Sequence, residues 1–99
     1  MELKRKDTIR ELSYDFALRI IRLAKYIQEE KKEFILSKQV LRSGTAIGAL
    51  VREGQYAESS ADFIHKLSIA LKEANETEYW LSLLMDSEYL SDDQMQSIL

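Results

Sequence analysis

The sequence predicts an all-α fold, an up-down antiparallel four-helix bundle with a short or truncated fourth helix. Three observations support this. The 99 residues contain no proline and many good helix formers, apolar residues recur at spacings of three and four, and no low-complexity linker interrupts the chain. Residues 1–99 are expected to form a single four-helix-bundle domain, because a chain of this length supports one hydrophobic core.

The first helix is predicted from about Thr8 to Glu30, with Asp7 as its N-terminal cap. Its apolar seam consists of Ile9, Leu12, Phe16, Ile20, Leu23 and Ile27. A seam with this period is the side that an amphipathic helix turns toward a core.

The second helix is predicted from about Glu33 to Tyr56 and holds all three glycines of the chain within the stretch "LRSGTAIGALVREG". Its core face consists of Leu36, Val40, Ser43, Ile47, Leu50 and Gly54. The glycine spacing matches neither of the phosphate-binding patterns GxxxxGK[ST] and GxGxxG, and charged residues interrupt any membrane-dimer motif. We expect a neighbouring helix to approach closely at Gly44 and Gly48, with a kink at Gly48 as the alternative.

The third helix begins at "SSAD", where Ser59 and Asp62 have the spacing of a capping box. Its seam consists of Phe63, Leu67, Ala70, Ala74, Thr77, Leu81 and Leu84. A fourth helix is predicted after Ser91, with two aspartates at the positive end of its dipole. It has barely two turns before the sequence stops at Leu99.

Composition restricts the function classes. The formal net charge is −3, which argues against strong nonspecific binding to nucleic acid. The charge is uneven, since residues 1–32 hold nine Lys/Arg against six Asp/Glu and residues 67–99 hold one against seven. The absence of cysteine fits a reducing compartment, and no signal peptide or membrane span is visible. A cytoplasmic protein is expected.

Residues suited to catalysis are few. His65 is the only histidine and lies nearly opposite the seam of the third helix. Asp62 precedes it by three residues, but metal sites in helical bundles need several inward-facing ligands. We expect no enzymatic activity, no cofactor and no metal site.

A second apolar face is the feature that points to function. On the third helix Ile69, Tyr79, Trp80 and Leu83 lie away from the core seam, and on the first helix Tyr14, Leu18 and Ile21 do the same. A helix that is apolar on all sides is normally buried on all sides, and a chain of 99 residues is too small to cover both faces. These residues are therefore predicted to form an oligomer interface, unless the fourth helix covers them.

An ordered set of residues over about 8–95 resembles a known family. The set consists of Gln39, Arg42, Ile47, Glu53, Gly54, Phe63, Leu67, Ala70, Glu76, Glu78 and Leu81. It is similar to the small four-helix-bundle proteins encoded in intervening sequences of bacterial 23S rRNA genes. The resemblance implies an antiparallel bundle without catalytic activity that assembles into a ring, commonly a pentamer.

Some members of that family are accessory proteins of diversity-generating retroelements, where a basic ring engages a reverse transcriptase and nucleic acid. This chain differs in being acidic, and it has Leu50 and Arg52 where the family often has asparagine and alanine. Members usually continue the fourth helix beyond the position of Leu99, which suggests that the chain is shortened or incompletely represented.

Two functions follow as hypotheses. The first is a noncatalytic homo-oligomeric scaffold. The alternative is a module that binds RNA or a ribonucleoprotein through outward basic residues of the first two helices, namely Arg19, Arg22, Lys25, Arg42 and Arg52. For Arg42 we also expect a structural role, because the register of an antiparallel hairpin brings it within reach of Glu73, Glu76 or Glu78.

Overall fold

A computed structural model describes residues 8–98, and these form four α-helices. The helices are α1 (Ile9–Glu30), α2 (Leu36–Gln55), α3 (Ser60–Asp86) and α4 (Asp92–Ile98). The described residues contain no β-strand. The all-α prediction, including the short fourth helix, is confirmed.

Side-chain caps start three of the helices. Thr8 caps α1 by accepting a hydrogen bond from the Glu11 N–H at 3.1 Å, while the predicted cap Asp7 lies outside the described residues. Ser59 caps α3 as predicted, accepting from the Asp62 N–H at 3.1 Å.

The start of α4 is a reciprocal capping box. Ser91 Oγ accepts from the Gln94 N–H at 3.2 Å, and Gln94 Oε1 accepts from the Ser91 N–H at 2.9 Å. Both ends of the box satisfy backbone donors that a helix otherwise leaves without partners. The cap predicted at Ser91 is therefore confirmed, and Gln94 completes it.

The second helix begins three residues later than predicted. Glu33, the predicted first residue, lies ahead of the helix, and its carboxylate accepts from the N–H groups of Ile35, Leu36 and Ser37 at 2.7 to 3.0 Å. Because one carboxylate satisfies three donors of the first turn, it works as a cap from outside the helix.

Helix α2 is the centre of the arrangement. It packs against both α1 and α3, whereas no Cα atom of α1 lies within 8 Å of one of α3. The contacting pairs run in opposite order along neighbouring helices: Ile20 with Gly44 and Gln28 with Ser37, then Arg42 with Glu76 and Glu53 with Lys66. Consecutive helices are thus antiparallel, and α4 touches α1 and α3 at one end only.

The core lies at the end that α4 closes. Its buried cluster consists of Ile20, Leu23, Ile27, Val40, Leu81, Leu84 and Leu90. The seam prediction is wrong at the opposite end, where Ile9 is 57% exposed, Leu12 is 53% exposed and Phe63 is 42% exposed. Their positions on the helices are as predicted, but none of the three lines a cavity with α4.

The glycines of α2 face α1 at close range. A Cβ atom added to Gly44 would lie 2.9 Å from both γ carbons of Ile20, and one added to Gly48 would lie 3.4 Å from the Ser13 carbonyl oxygen. Helix α2 continues unbroken through both positions. The predicted close approach is confirmed, and α2 does not end at Gly48.

Candidate interaction surfaces

The first surface, called here the α3 patch, consists of Ile69, Tyr79, Trp80 and Leu83. Tyr79 is 57% exposed, and its ring meets that of Trp80 edge to face, with centroids 5.1 Å apart. Trp80 is half-buried and packs against the core cluster, while Ile69 and Leu83 are also half-buried. A half-buried tryptophan beside an exposed tyrosine is a typical arrangement of interface anchors.

The second surface, called here the α1 patch, consists of Tyr14, Leu18 and Ile21. Tyr14 and Ile21 are exposed, and Leu18 is half-buried. The guanidinium of Arg52 lies 5.4 Å above the centroid of the Tyr14 ring, which is within the range of a cation–π contact.

The fourth helix packs elsewhere. Gln94 and Ser97 line a cavity with Arg19, Arg22, Leu23 and Tyr26 of α1, and Met95 lines another with Phe16, Ile47 and Leu81. Neither cavity includes a residue of the α1 patch or the α3 patch. The two cavities that α4 lines are thus formed with other residues of α1, α2 and α3.

Arg42 is held by two carboxylates of α3. Its guanidinium bonds Glu76 at 2.6 Å and Glu73 at 3.3 Å, so the predicted ion pair across the hairpin is confirmed. The hydrogen bond from Arg42 lowers the pKa of Glu76, and a hydrogen bond from the Trp80 Nε1–H at 3.3 Å acts in the same direction. The pKa of Arg42 is raised in return, chiefly by the hydrogen bond to Glu76.

The ion pair predicts a titration result. In the Arg42→Ala variant the pKa of Glu76 should rise toward its ordinary value near 4.5, because the main cause of its lowering is gone. Stability from the pair is complete above that ordinary pKa and is lost as pH falls through the lower pKa of the folded state. Carbon-detected NMR titration of the Glu76 carboxyl measures the shift.

A second cross-helix pair supplies the control for this titration. Lys66 and Glu53 form an ion pair at 3.1 Å between the same two helices. The Lys66→Ala variant should leave the pKa of Glu76 where it is. Equal pKa values for Glu76 in the parent and in Arg42→Ala would contradict the statement that Arg42 lowers the pKa of Glu76.

The remaining basic candidates differ in their surroundings. Arg19 and Arg22 line the same open cavity of about 400 Å³, with Tyr26, Gln94 and Ser97 on its other walls. Lys25 is exposed on α1, and Arg52 stacks on Tyr14. Arg42 is not among the residues that line this cavity, and its guanidinium bonds Glu73 and Glu76. The structure thus brings Arg19 and Arg22 together and separates them from Arg42.

Within residues 8–98, no group of three or more His, Cys, Asp or Glu side chains is placed to hold a metal ion. His65 is exposed on α3. Across this same part of the chain, no helix is both long enough and apolar enough to traverse a bilayer.

Sequence reasoning missed two contacts at these surfaces. The Arg52–Tyr14 stack joins two helices, and periodicity alone does not give the relative rotation that brings them together. The bond from Trp80 to Glu76 joins residues four apart on one helix, and that spacing could have indicated it.

The comparisons with known proteins agree with this architecture. The chain is similar, with 57% sequence identity and a TM-score of 0.90, to a protein of unknown function from the S23 ribosomal protein family of Bacteroides thetaiotaomicron VPI-5482. The match covers 92% of this chain and 84% of that chain, whose crystal structure was determined at 1.70 Å resolution. No curated protein sequence matches the chain. The family described as 23S rRNA-intervening sequence protein matches over residues 5–99, and the chain belongs to this family.

Proposed function

We propose that the protein is a noncatalytic scaffold that assembles with copies of itself into a ring. The observation that carries this proposal is the exposure of aromatic and aliphatic side chains on two helices, in the α1 patch and in the α3 patch. Tyr14 is 51% exposed and Tyr79 is 57% exposed. Clusters of this kind on a small protein mark contact surfaces.

The placement of the two patches favours a ring over a twofold dimer. They lie on different helices, and no Cα atom of α1 is within 8 Å of one of α3, so one subunit can offer its α1 patch to the α3 patch of the next. Such a heterologous contact closes into a ring when the rotation between subunits allows it. A pentamer is the size that the family resemblance implies.

Light scattering coupled to size-exclusion chromatography tests the assembly. The parent should run as one defined oligomer. Leu83→Glu and Ile21→Glu should each shift it toward the monomer, because an unpaired carboxylate in an apolar contact is costly to bury. Trp80 is the only tryptophan, so its fluorescence should shift to the red in the Leu83→Glu variant.

Mixing the two variants separates a ring from a twofold dimer. In a heterologous contact, a Leu83→Glu subunit keeps an intact α1 patch and an Ile21→Glu subunit keeps an intact α3 patch. The mixture should therefore form dimers and stop there. Tyr56→Glu, at a position 81% exposed and outside both patches, is the control and should assemble like the parent. A parent that remains monomeric at micromolar concentration would contradict the proposal.

RNA binding is the second candidate, and it rests on the shared cavity of Arg19 and Arg22. The guanidinium groups of two arginines line this cavity with Gln94 and Ser97, and arginine is a common phosphate ligand in complexes with nucleic acid. Filter binding of RNA at increasing salt tests this function. Binding through phosphates should weaken steeply as salt rises, and Arg22→Ala should reduce the salt slope by about one. An unchanged slope in Arg22→Ala would remove this cavity from consideration.

A further inference from the structure

Two arginines of α2 are each linked to an aromatic residue of one contact surface. Arg42 bonds Glu76 at 2.6 Å, and Glu76 in turn accepts a hydrogen bond from the Trp80 indole N–H at 3.3 Å. Further along the same helix, the guanidinium of Arg52 lies 5.4 Å above the centroid of the Tyr14 ring. Helix α2 is therefore linked to an aromatic side chain in both the α3 patch and the α1 patch.

A single oxygen atom joins Arg42 to Trp80. Glu76 Oε2 accepts both the hydrogen bond from Arg42 Nη2 and the one from Trp80 Nε1. An indole has one polar atom, and a tryptophan at a contact surface usually satisfies it with a partner of this kind. The ring of Tyr79 packs edge to face against that of Trp80, with centroids 5.1 Å apart. A contact that orients the indole therefore also restricts the neighbouring tyrosine.

These contacts lie at the surface and outside the core. The side chain of Arg42 is 51% exposed and that of Glu76 is 38% exposed, and Arg52 is exposed as well. None of the three belongs to the core cluster. Exposed ion pairs contribute little to the stability of a fold. The main physical effect of these contacts is to restrict the rotamers of the aromatic side chains that they reach.

Restricting a side chain before association strengthens the contact that it later makes. Association costs free energy for each flexible side chain that becomes ordered at an interface, and this cost falls when the side chain is already held in its bound orientation. Tyrosine, tryptophan and arginine are the residues that most often dominate the binding energy of an interface. Contacts that order the aromatic members of a patch thus act on the affinity of that patch.

We propose that Arg42 and Arg52 are positioning residues of the self-contact, each ordering the aromatic anchor of one patch. Arg42 acts through Glu76 on Trp80, and Arg52 acts directly on Tyr14. In a heterologous contact the α3 patch of one subunit meets the α1 patch of the next, so the two arginines act on one interface from its two sides. The inference rests on the scaffold proposal, and it gives both arginines a role other than contact with RNA.

Light scattering over a dilution series measures the effect on affinity. Arg42→Ala and Arg52→Gln should each weaken assembly at least about threefold, because each frees one aromatic side chain that must then be ordered on association. Circular dichroism should show the helix content of the parent in both variants. Lys66→Ala is the matched control, since it removes a positive charge and the ion pair with Glu53, a pair without an aromatic member, and it should assemble like the parent.

Conservative variants separate positioning from charge. Glu76→Gln keeps a side-chain oxygen that can accept from both Arg42 and Trp80, so it should assemble close to the parent. Glu76→Ala removes that oxygen and should weaken assembly as Arg42→Ala does. Arg52→Lys keeps a cation over the Tyr14 ring and should also assemble close to the parent.

The indole of Trp80 reports its own positioning, because Trp80 is the only tryptophan. Its Nε1–H gives a single NMR signal, which is measured in an Ile21→Glu background so that the α3 patch is intact while the α1 patch is disrupted. In that background the proton should exchange with solvent faster after Arg42→Ala or Glu76→Ala than after Glu76→Gln. A difference of this kind does not depend on contact between subunits.

Three results would contradict the inference, and they differ in what else they overturn. An assembled parent whose affinity is unchanged in Arg42→Ala and Arg52→Gln would overturn the inference and leave the scaffold proposal standing. Equal indole exchange with and without Arg42 would show that this arginine does not position Trp80. A parent that is monomeric at every concentration would overturn the scaffold proposal and, with it, the role of both arginines in the self-contact.

Discussion

Replacing Gly44 with alanine is expected to lower the free energy of unfolding by about 1–2 kcal/mol. The new Cβ would lie 2.9 Å from both Cγ1 and Cγ2 of Ile20, a residue with no exposed surface. Ile20 is branched at Cβ, so rotating its side chain exchanges one contact for another. Overpacking of this kind costs roughly 1–3 kcal/mol, and the better helix propensity of alanine returns up to about 1 kcal/mol.

Gly48 provides the matched comparison on the same flank of the same helix. A Cβ there would lie 3.4 Å from the Ser13 carbonyl oxygen, an ordinary contact distance. Gly48→Ala should therefore keep or raise the stability, by up to about 1 kcal/mol. Chemical denaturation of both variants measures the difference. Equal free energies of unfolding in the two variants would mean that α1 moves to make room for the new Cβ beside Ile20. The account of Gly44 would then be wrong.

The two glycines illustrate what periodicity can and cannot predict. A spacing of four places both on one flank of α2, so the sequence predicts a close approach along that flank. It does not predict that Gly44 meets a branched side chain while Gly48 meets a backbone carbonyl. That difference depends on the axial shift between α1 and α2, which is set by packing along the whole interface.

Local chemistry was predictable where the interacting residues lie close in sequence. The caps at Ser59 and Ser91 depend on residues three positions apart, and both are confirmed. The start of α2 was not predicted, because helix propensity does not reveal that the Glu33 side chain would take the first-turn donors for itself. When the Glu33 side chain caps α2 from outside, the helix does not extend back to include Glu33.

Contacts across the hairpin were predictable as far as register allows. A short turn between α2 and α3 sets which residues lie level with each other, and this places Arg42 beside Glu73 and Glu76. The exposure of Tyr79 was likewise predictable, because one seam already accounts for the core side of α3. The cavity between α1 and α4 depends on where a seven-residue helix docks, and periodicity does not give that position.

The exposure of Leu12 has no signal of its own in the sequence. Ile9, Leu12 and Leu23 belong to one seam of α1, and a seam identifies the face of a helix without identifying its neighbour. Whether a seam residue is buried depends on a helix far away in the chain. Here Leu23 is 7% exposed within the core cluster, and Leu12 is 53% exposed.

The difference in exposure between Leu23 and Leu12 leads to the largest change in the free energy of unfolding that we expect. Leu23→Ala should lower the free energy of unfolding by about 2–5 kcal/mol, because Leu23 is 7% exposed within the core cluster and its truncation leaves a cavity. Leu12→Ala, the same substitution three turns earlier on the same seam, should change it by less than about 0.5 kcal/mol. Helix propensity is altered equally in both variants, so it drops out of the comparison.

Urea denaturation of the two leucine variants at several protein concentrations measures both effects. The loss in Leu23→Ala should be the same at every concentration, because it arises inside one subunit. A loss in Leu12→Ala as large as that in Leu23→Ala would mean that Leu12 is covered in solution. If that loss grew with protein concentration, the cover would be a second copy of the chain, since only contacts between subunits gain from mass action.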